Sequence, residues 1–299
     1  MKKADSRLKK GRPSEKNARL LRAEALELIL GKRQKSIEDC KLTFKEIEQE
    51  LQVNRRRAKS IFREISEISA DVTFITDGIL VKRETYYHKH LGMDRRLKDA
   101  LANKVVDIFP NDVNTVACSG GTTVAICVKR FAERRRYHEF FTNNVGVIDQ
   151  VGGSREIGKV VLTGGIYDSD VHGCVGDQSI EEFKKARCEA ALIGVSGINK
   201  EGELFVKHCF EKPVNKQIIK FTKSYIFIVA DINKFTQEDS WQWATITTDI
   251  LSDQERKGLA VYVVTNSLDK LSDKKKREHA KKVIASLNKM DRVTVVLVE

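Results

Sequence analysis

The chain has few cysteines at useful spacing, no long apolar runs and a shortage of acidic charge, and each of these excludes something. Its six cysteines (Cys40, Cys118, Cys127, Cys174, Cys188 and Cys209) are scattered, with no CxxC pair and no Cys/His cluster at zinc spacing. A disulfide framework is therefore not expected, nor is a zinc or other metal site, nor a bound cofactor. Several of the cysteines fall inside apolar runs, where Cys behaves as a small hydrophobe. Unpaired thiols of this kind fit a reducing, cytoplasmic location. Met1-Lys2-Lys3-Ala4-Asp5 has no apolar stretch behind it, so no signal peptide is expected. The longest apolar runs are strand-sized, too short to cross a membrane, and no membrane partner is expected.

The shortage of acid leaves a strong positive balance. Across 299 residues there are 54 Lys+Arg against 42 Asp+Glu, a net charge of +12, which favours polyanionic partners. The excess is concentrated at one end. Residues 1–65 hold 19 Lys/Arg and 10 Asp/Glu, +9 of the total, and +3 is left for the remainder. The hydrophobic fraction of 41% supports a packed core, and the length suits one large domain and one small one.

Residues 1–16 read as a basic disordered arm, in which Gly11-Arg12-Pro13 resembles a minor-groove arm motif. Residues 17–82 read as a winged helix-turn-helix. Ala18, Leu21, Ala25 and Leu28 recur at helical spacing until Gly31 stops the helix. Thr43 and Glu46 form a capping box that starts a second short helix carrying Ile47 and Leu51. Gln52-Val53-Asn54 breaks it, and Asn54 caps a third helix. In that helix Ala58, Ile61, Phe62 and Ile65 make a core stripe. Arg56, Lys59, Ser60 and Arg63 lie opposite the stripe, with Arg55 and Arg57 flanking. A short helix, a three-residue turn and a basic amphipathic helix suit a recognition helix in the major groove of double-stranded DNA, where Arg and Lys serve both guanine edges and phosphates. Val72–Val81 reads as a hairpin around Asp77-Gly78, the wing.

Residues 83–112 read as a linker or connecting helix, and residues 113–299 as an α/β domain. Strands are expected at Thr115–Cys118, Val160–Leu162, Ala191–Val195, Tyr225–Ala230, Val261–Val264 and Val293–Val298. Helical stretches such as Val124–Arg134, Ile180–Arg187 and Lys275–Lys289 lie between them. This alternation predicts a mostly parallel sheet with helices on both faces, and in such sheets ligands bind beyond the carboxyl ends of the strands. The first strand ends in Ser119-Gly120-Gly121-Thr122-Thr123, a glycine turn feeding a helix N-terminus and so a natural phosphate cradle. Other strand ends supply Asn143 and Asn144, Gly164 and Gly165, Ser196 and Gly197, and Asp231.

The ordered series SGGTT, TNN, VVLTGG, CVG, ALIGVSGINKEGEL and VADINKF, over roughly residues 95–270, resembles the sensor domain of DeoR/GlpR-type regulators. The resemblance implies a sugar-phosphate-isomerase-like α/β domain behind a winged helix-turn-helix. It also implies two partners, a DNA operator and a phosphorylated sugar or nucleoside-derived metabolite, and no catalytic residues. Carried over by position, Ser119, Gly120, Gly121, Thr122 and Thr123 would hold the phosphate. Asn143, Asn144, Gly164, Gly165, Ser196 and Gly197 would line the pocket, with Glu211, Asp231 and Lys234 at its polar floor. The chain departs from the family at Ser119, where an acidic residue is common, and near Asp168, where an Arg is frequent. Asn215 stands where a Lys is usual, with Lys216 one place later. The third helix lacks the Ser-x-x-Thr-Ile-Arg-Arg-Asp pattern, so a different operator is expected. One helix-turn-helix reads only a few base pairs, which predicts a homodimer or homotetramer.

Two other readings remain at this point. A sugar-phosphate aldose–ketose isomerase could use Glu211 with Lys216 or Lys234. Against it, Val195-Ser196-Gly197-Ile198-Asn199 lacks the paired acidic residues of such isomerases, and a basic three-helix preface has no purpose there. Positive charge alone also does not distinguish DNA from RNA.

Overall fold

The computed structural model describes residues 20–21, 23–29, 40–68, 72–81, 85–134, 138–152, 158–236 and 241–299. The basic arm 1–16 and Gly31 lie outside the described residues. The chain divides into two compact units, Met1–Glu84 and Thr85–Glu299.

In the smaller unit, helical residues within 20–29 (α1) bury Ala25 and Ile29. Strand β1 (Cys40–Thr43) leads into α2 (Phe44–Glu50), followed by α3 (Arg55–Ile68), β2 (Val72–Ile75) and β3 (Gly78–Val81). The capping box is present: Glu46 N–H donates to Thr43 Oγ1 at 3.3 Å, and Thr43 N–H donates to the Glu46 carboxylate at 2.7 Å. Asn54 Oδ1 accepts the Arg57 N–H at 2.9 Å, satisfying one orphan donor of α3. Ala58, Ile61, Phe62 and Ile65 are buried, as their spacing predicts, with Leu42, Phe44, Ile47, Ile79 and Val81. The β2–β3 hairpin turns at Thr76-Asp77, one residue earlier than expected, with Gly78 paired to Ile75, and β3 also pairs antiparallel with β1, giving the order β1-β3-β2. A Cβ on Gly78 would stand 2.0 Å from the Leu42 carbonyl oxygen, so this third strand requires glycine there. β1 was not expected, because four residues reading CKLT carry little alternation of their own; pairing with β3 makes them a strand.

The larger unit begins with α4 (Tyr86–Gly92) and α5 (Arg95–Ile108). These helices occupy the stretch that reads as a linker or connecting helix, yet α5 buries Leu101, Ala102, Val105 and Val106 in the unit's own core. Then follow β4 (Thr115–Cys118), α6 (Thr122–Glu133), β5 (Glu139–Thr142), α7 (Val145–Val151), β6 (Lys159–Leu162), β7 (Ile166–Asp168), β8 (Gly173–Val175) and α8 (Asp177–Ala186). The chain continues with β9 (Ala190–Gly194), β10 (Gly197–Ile198), β11 (Glu203–Val206), α9 (Glu211–Phe221), β12 (Tyr225–Val229), β13 (Trp241–Thr245), β14 (Ala260–Asn266), α10 (Lys274–Leu287) and β15 (Val293–Val298).

Seven strands form one sheet in the order β15-β14-β12-β9-β4-β5-β6, and every pairing in it is parallel. Strand β12 shows how it is covered. Ile226 and Ile228 join one core with α9 and α10, while Phe227 and Val229 join the other with α5 and α6. A period of two thus sends alternate side chains into two helical layers, which accounts for the continuous apolar runs. Two small antiparallel sheets, β10-β11-β13 and β7-β8, stand beside the main one. Among the described residues no helix is long and apolar enough to cross a membrane.

Candidate effector cleft and nucleic-acid face

From β4 the chain proceeds outward through β5 and β6 on one side, while β9, β12, β14 and β15 fill the other. The order therefore switches between β4 and β9, the position where open parallel sheets leave a crevice. A cavity of about 480 Å³ lies there, within the range typical of small-molecule sites. The carboxyl ends of three adjacent strands line it: Gly120 and Gly121 after β4, Val195 and Ser196 after β9, and Ala230 and Asp231 after β12.

Of the residues implied as effector contacts, Gly120, Gly121, Thr122, Thr123, Ser196, Glu211, Asp231 and Lys234 line the cavity. Gly121 caps α6 at φ 102°, a conformation L side chains rarely adopt, and a Cβ there would meet nothing within 4 Å. The backbone is turned so that the first amides of α6 border the open space, where the helix end offers donors and partial positive charge. Ser196 Oγ, also on the wall, is buried with no hydrogen-bond partner among the described residues.

The other implied contacts support the cleft from behind or lie elsewhere. Ser119 is fully buried; its Oγ accepts the Gly194 N–H at 2.9 Å and fastens β4 to β9. Asn144 caps α7 through the Gly146 N–H at 3.0 Å, and its Nδ2 donates to the Gly121 carbonyl at 2.9 Å, bracing the glycine turn. Asn143 Nδ2 donates to the Cys174 carbonyl at 2.8 Å. Gly164 and Gly165, at φ 70° and 119°, turn the chain after β6 against Ser179 of α8. Gly197 is a buried strand residue paired with Phe205. For Asn143, Asn144, Gly164 and Gly165 the reason is topological: β5 and β6 end on the far side of β4 from the switch.

The cleft also recruits residues that the sequence reading did not single out: Tyr87, His90, Met93, Asp94 and Lys98 from α4 and α5, Asp170 and Val171 from the β7–β8 turn, Lys207 and His208 after β11, and Lys276 of α10. Lys98 is almost fully buried, and its Nζ donates to the carbonyls of His90 and Met93, the latter at 2.8 Å. Burial pulls its amine down to about 8, opposed by the nearby charge of Asp231. Glu211 starts α9 with its carboxylate against the glycine turn, Oε1 standing 3.0 Å from where a Gly120 Cβ would be. Burial raises that carboxyl to about 7, against the lowering effect of the His208 N–H, which donates to it at 3.4 Å. Lys216 is exposed and does not line the cavity, and Asn215 is buried within α9. Four lysines and four carboxylates (Asp94, Asp170, Glu211 and Asp231) therefore line the cavity together with the first residues of α6. Such a set can bind a small molecule with one anionic end and several hydroxyls.

In the smaller unit the six residues expected to face DNA sit on α3, with Arg55, Arg56, Ser60 and Arg63 exposed and Arg57 and Lys59 half-buried. They are not equivalent. Arg55 and Lys59 lie over the Phe44 ring at 5.6 and 5.3 Å, and Arg63 over the Phe74 ring at 5.6 Å. Arg55 also pairs with Asp77 of the hairpin turn at 3.4 Å.

The large unit is thus a parallel α/β domain with a polar small-molecule cleft at its switch point. Residues 94–254, more than half of the chain, match the DeoR C terminal sensor domain family, and the chain belongs to that family. It is 24% identical over 151 residues to the glycerol-3-phosphate regulon repressor of Escherichia coli (strain K12), a match covering 50% of this chain and 58% of that one. It is 25% identical over 211 residues to the HTH-type transcriptional repressor GlcR of Bacillus subtilis (strain 168), covering 69% and 79%. The chain thus spans little more than half the length of the first of these repressors. Ribose 5-phosphate isomerase A from Neisseria gonorrhoeae superposes at a TM-score of 0.33 with 11% identity, over 46% of this chain and 52% of that one, a likeness too distant to bear on function.

Proposed function

We propose that the chain is a cytoplasmic transcription regulator whose small unit binds an operator in double-stranded DNA through α3, and whose large unit binds a phosphorylated sugar or related metabolite that alters operator binding. The observation that carries this reading is the cleft: a glycine-turned helix N-terminus for the phosphate, in a lining that also carries lysines and carboxylates for the hydroxyls. The repressors it resembles support the DNA half of the proposal. In it, Gly120 to Thr123 hold the anion, Ser196, Glu211, Asp231 and Lys234 bind the polyol, Ser119 and Asn144 hold the turn in shape, and Asn143 ties the end of β5 to β8. Arg56, Ser60 and Arg63 are the residues of α3 that reach the groove, with Arg55, Arg57 and Lys59 behind them. Specific binding then requires a homodimer or homotetramer on paired half-sites.

The test joins both halves. Duplexes selected from random DNA should be retained by the full chain in a gel shift, and one or more sugar phosphates should change that retention and raise the melting temperature. A ligand at 100 times its dissociation constant adds ~2.7 kcal/mol. A melting temperature unmoved by every sugar phosphate, alongside retained DNA binding, defeats the sensor half. Glu211, with its carboxyl near 7, is the one feature that favours the isomerase reading. An NMR assay that finds aldose–ketose exchange would establish that reading, and the sensor predicts none.

A further inference from the structure

Outside the cleft, two histidines and an aspartate converge from three separate segments. His88 lies on α4, Asp149 on α7 and His172 in the β7–β8 turn, and one ligand atom from each lies within 4.8 Å of the other two. We propose that these three side chains bind one divalent transition-metal ion with nitrogen and oxygen preference, of which zinc is the representative.

Each ring has a hydroxyl oxygen beside its Nδ1. His88 Nδ1 lies 2.7 Å from Thr85 Oγ1, and His172 Nδ1 lies 2.7 Å from the Tyr167 hydroxyl. With Nδ1–H donating to its hydroxyl, each ring would offer Nε2 to the ion, and an outer partner of this kind sets the plane of a coordinating imidazole. His172 Nε2 faces a carboxylate oxygen of Asp149 at 2.5 Å. The ion would replace that hydrogen bond, its proton moving to Nδ1 of His172 or to solvent, with bonds of about 2.0–2.2 Å to nitrogen and oxygen.

The backbone holds the cluster's centre rigidly. His172 is buried at φ 52°, a left-handed conformation in a non-glycine residue, and its carbonyl accepts the Val145 N–H at 3.1 Å. Strained backbone of this sort gathers at functional sites. The His172 ring packs against the rings of Tyr87 at 4.7 Å and His88 at 4.9 Å, so its direction is set from two sides. The partners His88 and Asp149 are exposed, so solvent reaches the site and side-chain rotation can draw them to bonding distance. Two imidazoles and one carboxylate leave a fourth position for water, as in open zinc sites. The ligands are dozens of residues apart, so cysteine and histidine spacing gives no sign of them.

Titration of the full chain, stripped with a chelator, tests the proposal with Zn²⁺ by calorimetry and Co²⁺ by visible absorption. One saturable ion per chain is expected, with a Co²⁺ spectrum of low-symmetry nitrogen and oxygen ligation. His88→Ala and Asp149→Asn should each weaken binding at least about tenfold, and Tyr167→Phe by about tenfold at most. Both ligand positions are exposed, so the metal-free variants should melt close to the wild type. The proposal is overturned if Zn²⁺ shows no saturable binding. It is also overturned if the His88→Ala/Asp149→Asn double variant, still folded, keeps wild-type affinity, because the ion then sits elsewhere.

Discussion

In the small unit the polar groups expected to meet a ligand project from one helix, α3, and are fixed by its period. In the large unit the groups around the cleft come from three strand ends, a helix pair, a turn and the distant α10, and they are fixed by strand order. The first kind of site survives as long as one helix stays docked. The second depends on the whole sheet. The units also differ in how their charges are balanced: α3 presents mainly cations over aromatic rings, whereas the cleft sets lysines against carboxylates in near equality.

The largest expected effect breaks the two units apart. Phe62 is fully buried in the small core, and Phe62→Ala should cost roughly 3–5 kcal/mol. If the units fold separately, calorimetry should show the small unit's transition falling while that of the large unit, and metabolite binding, stay in place. One merged transition that falls as a whole would show the two cores to be coupled.

Gly121→Asp addresses the other unit. A carboxylate at φ 102° would stand in the space proposed for the phosphate, and metabolite affinity should fall by 100-fold or more, about 2.7 kcal/mol. Backbone strain should cost a further ~1–3 kcal/mol of stability. DNA binding should remain, giving a regulator deaf to its metabolite. Calorimetry beside a gel shift checks both.

The third effect is pH dependence in the cleft. Glu211 is raised from 4.5 to about 7 in the folded chain, so the folded state holds its proton longer than the unfolded state. Its contribution is complete below 4.5 and is lost as pH rises through 7. Lys98 behaves oppositely: lowered from 10.5 to about 8, it costs stability while protonated, and that cost is relieved as pH rises from 8 to 10.5. Each limb should be worth roughly 1–3 kcal/mol. Urea midpoints should therefore pass through a shallow minimum between pH 7 and 8. Glu211→Gln should flatten the acid limb and Lys98→Met the alkaline one. Unaltered profiles in both variants would refute the assignment.

The smallest effect sharpens the comparison within α3. Arg56 is exposed, and Arg56→Ala should weaken DNA binding by ~1–3 kcal/mol if it contacts a base, or lower the salt slope by about one if it contacts phosphate, without changing the melting temperature. Lys59 lies over Phe44, so Lys59→Ala should lower DNA affinity and also cost about 0.5 kcal/mol of stability.

Local chemistry explains what the sequence made legible. The Thr43–Glu46 box, the stripe from Ala58 to Ile65 and the Val72–Val81 hairpin each act within a few residues and are in place, the hairpin turning at Thr76-Asp77, one residue earlier than read. Six of the main sheet's seven strands were legible as apolar runs, the candidates falling within two residues of β4, β6, β9, β12, β14 and β15, whereas β5, which reads EFFT, was missed. Strands β10, β11 and β13 were missed: they are short, and their antiparallel pairing sets Gly197 opposite Phe205 and Leu204 opposite Ala244 with little local signal. In the cleft, the glycine turn was legible because its conformation demands glycine. Lys98 and Lys276 were not, because an amine on a helix looks solvated until the fold buries it or turns it inward. Asn143 and Gly164 show the converse error, since a polar strand end faces the cleft only when its strand lies on the right side of β4.

The glycine turn has one more consequence. An anion held by main-chain amides is held alike whatever side chains those residues carry, so this end of the cleft recognises a chemical group without discriminating among its bearers. In the proposed function, choice between metabolites then falls to the rest of the lining, where Asp94, Lys98, Asp170 and Lys276 come from other segments of the chain. Two chains could share the cradle to the last atom and still select different ligands, and a change of ligand would need substitutions only in the rest of the lining.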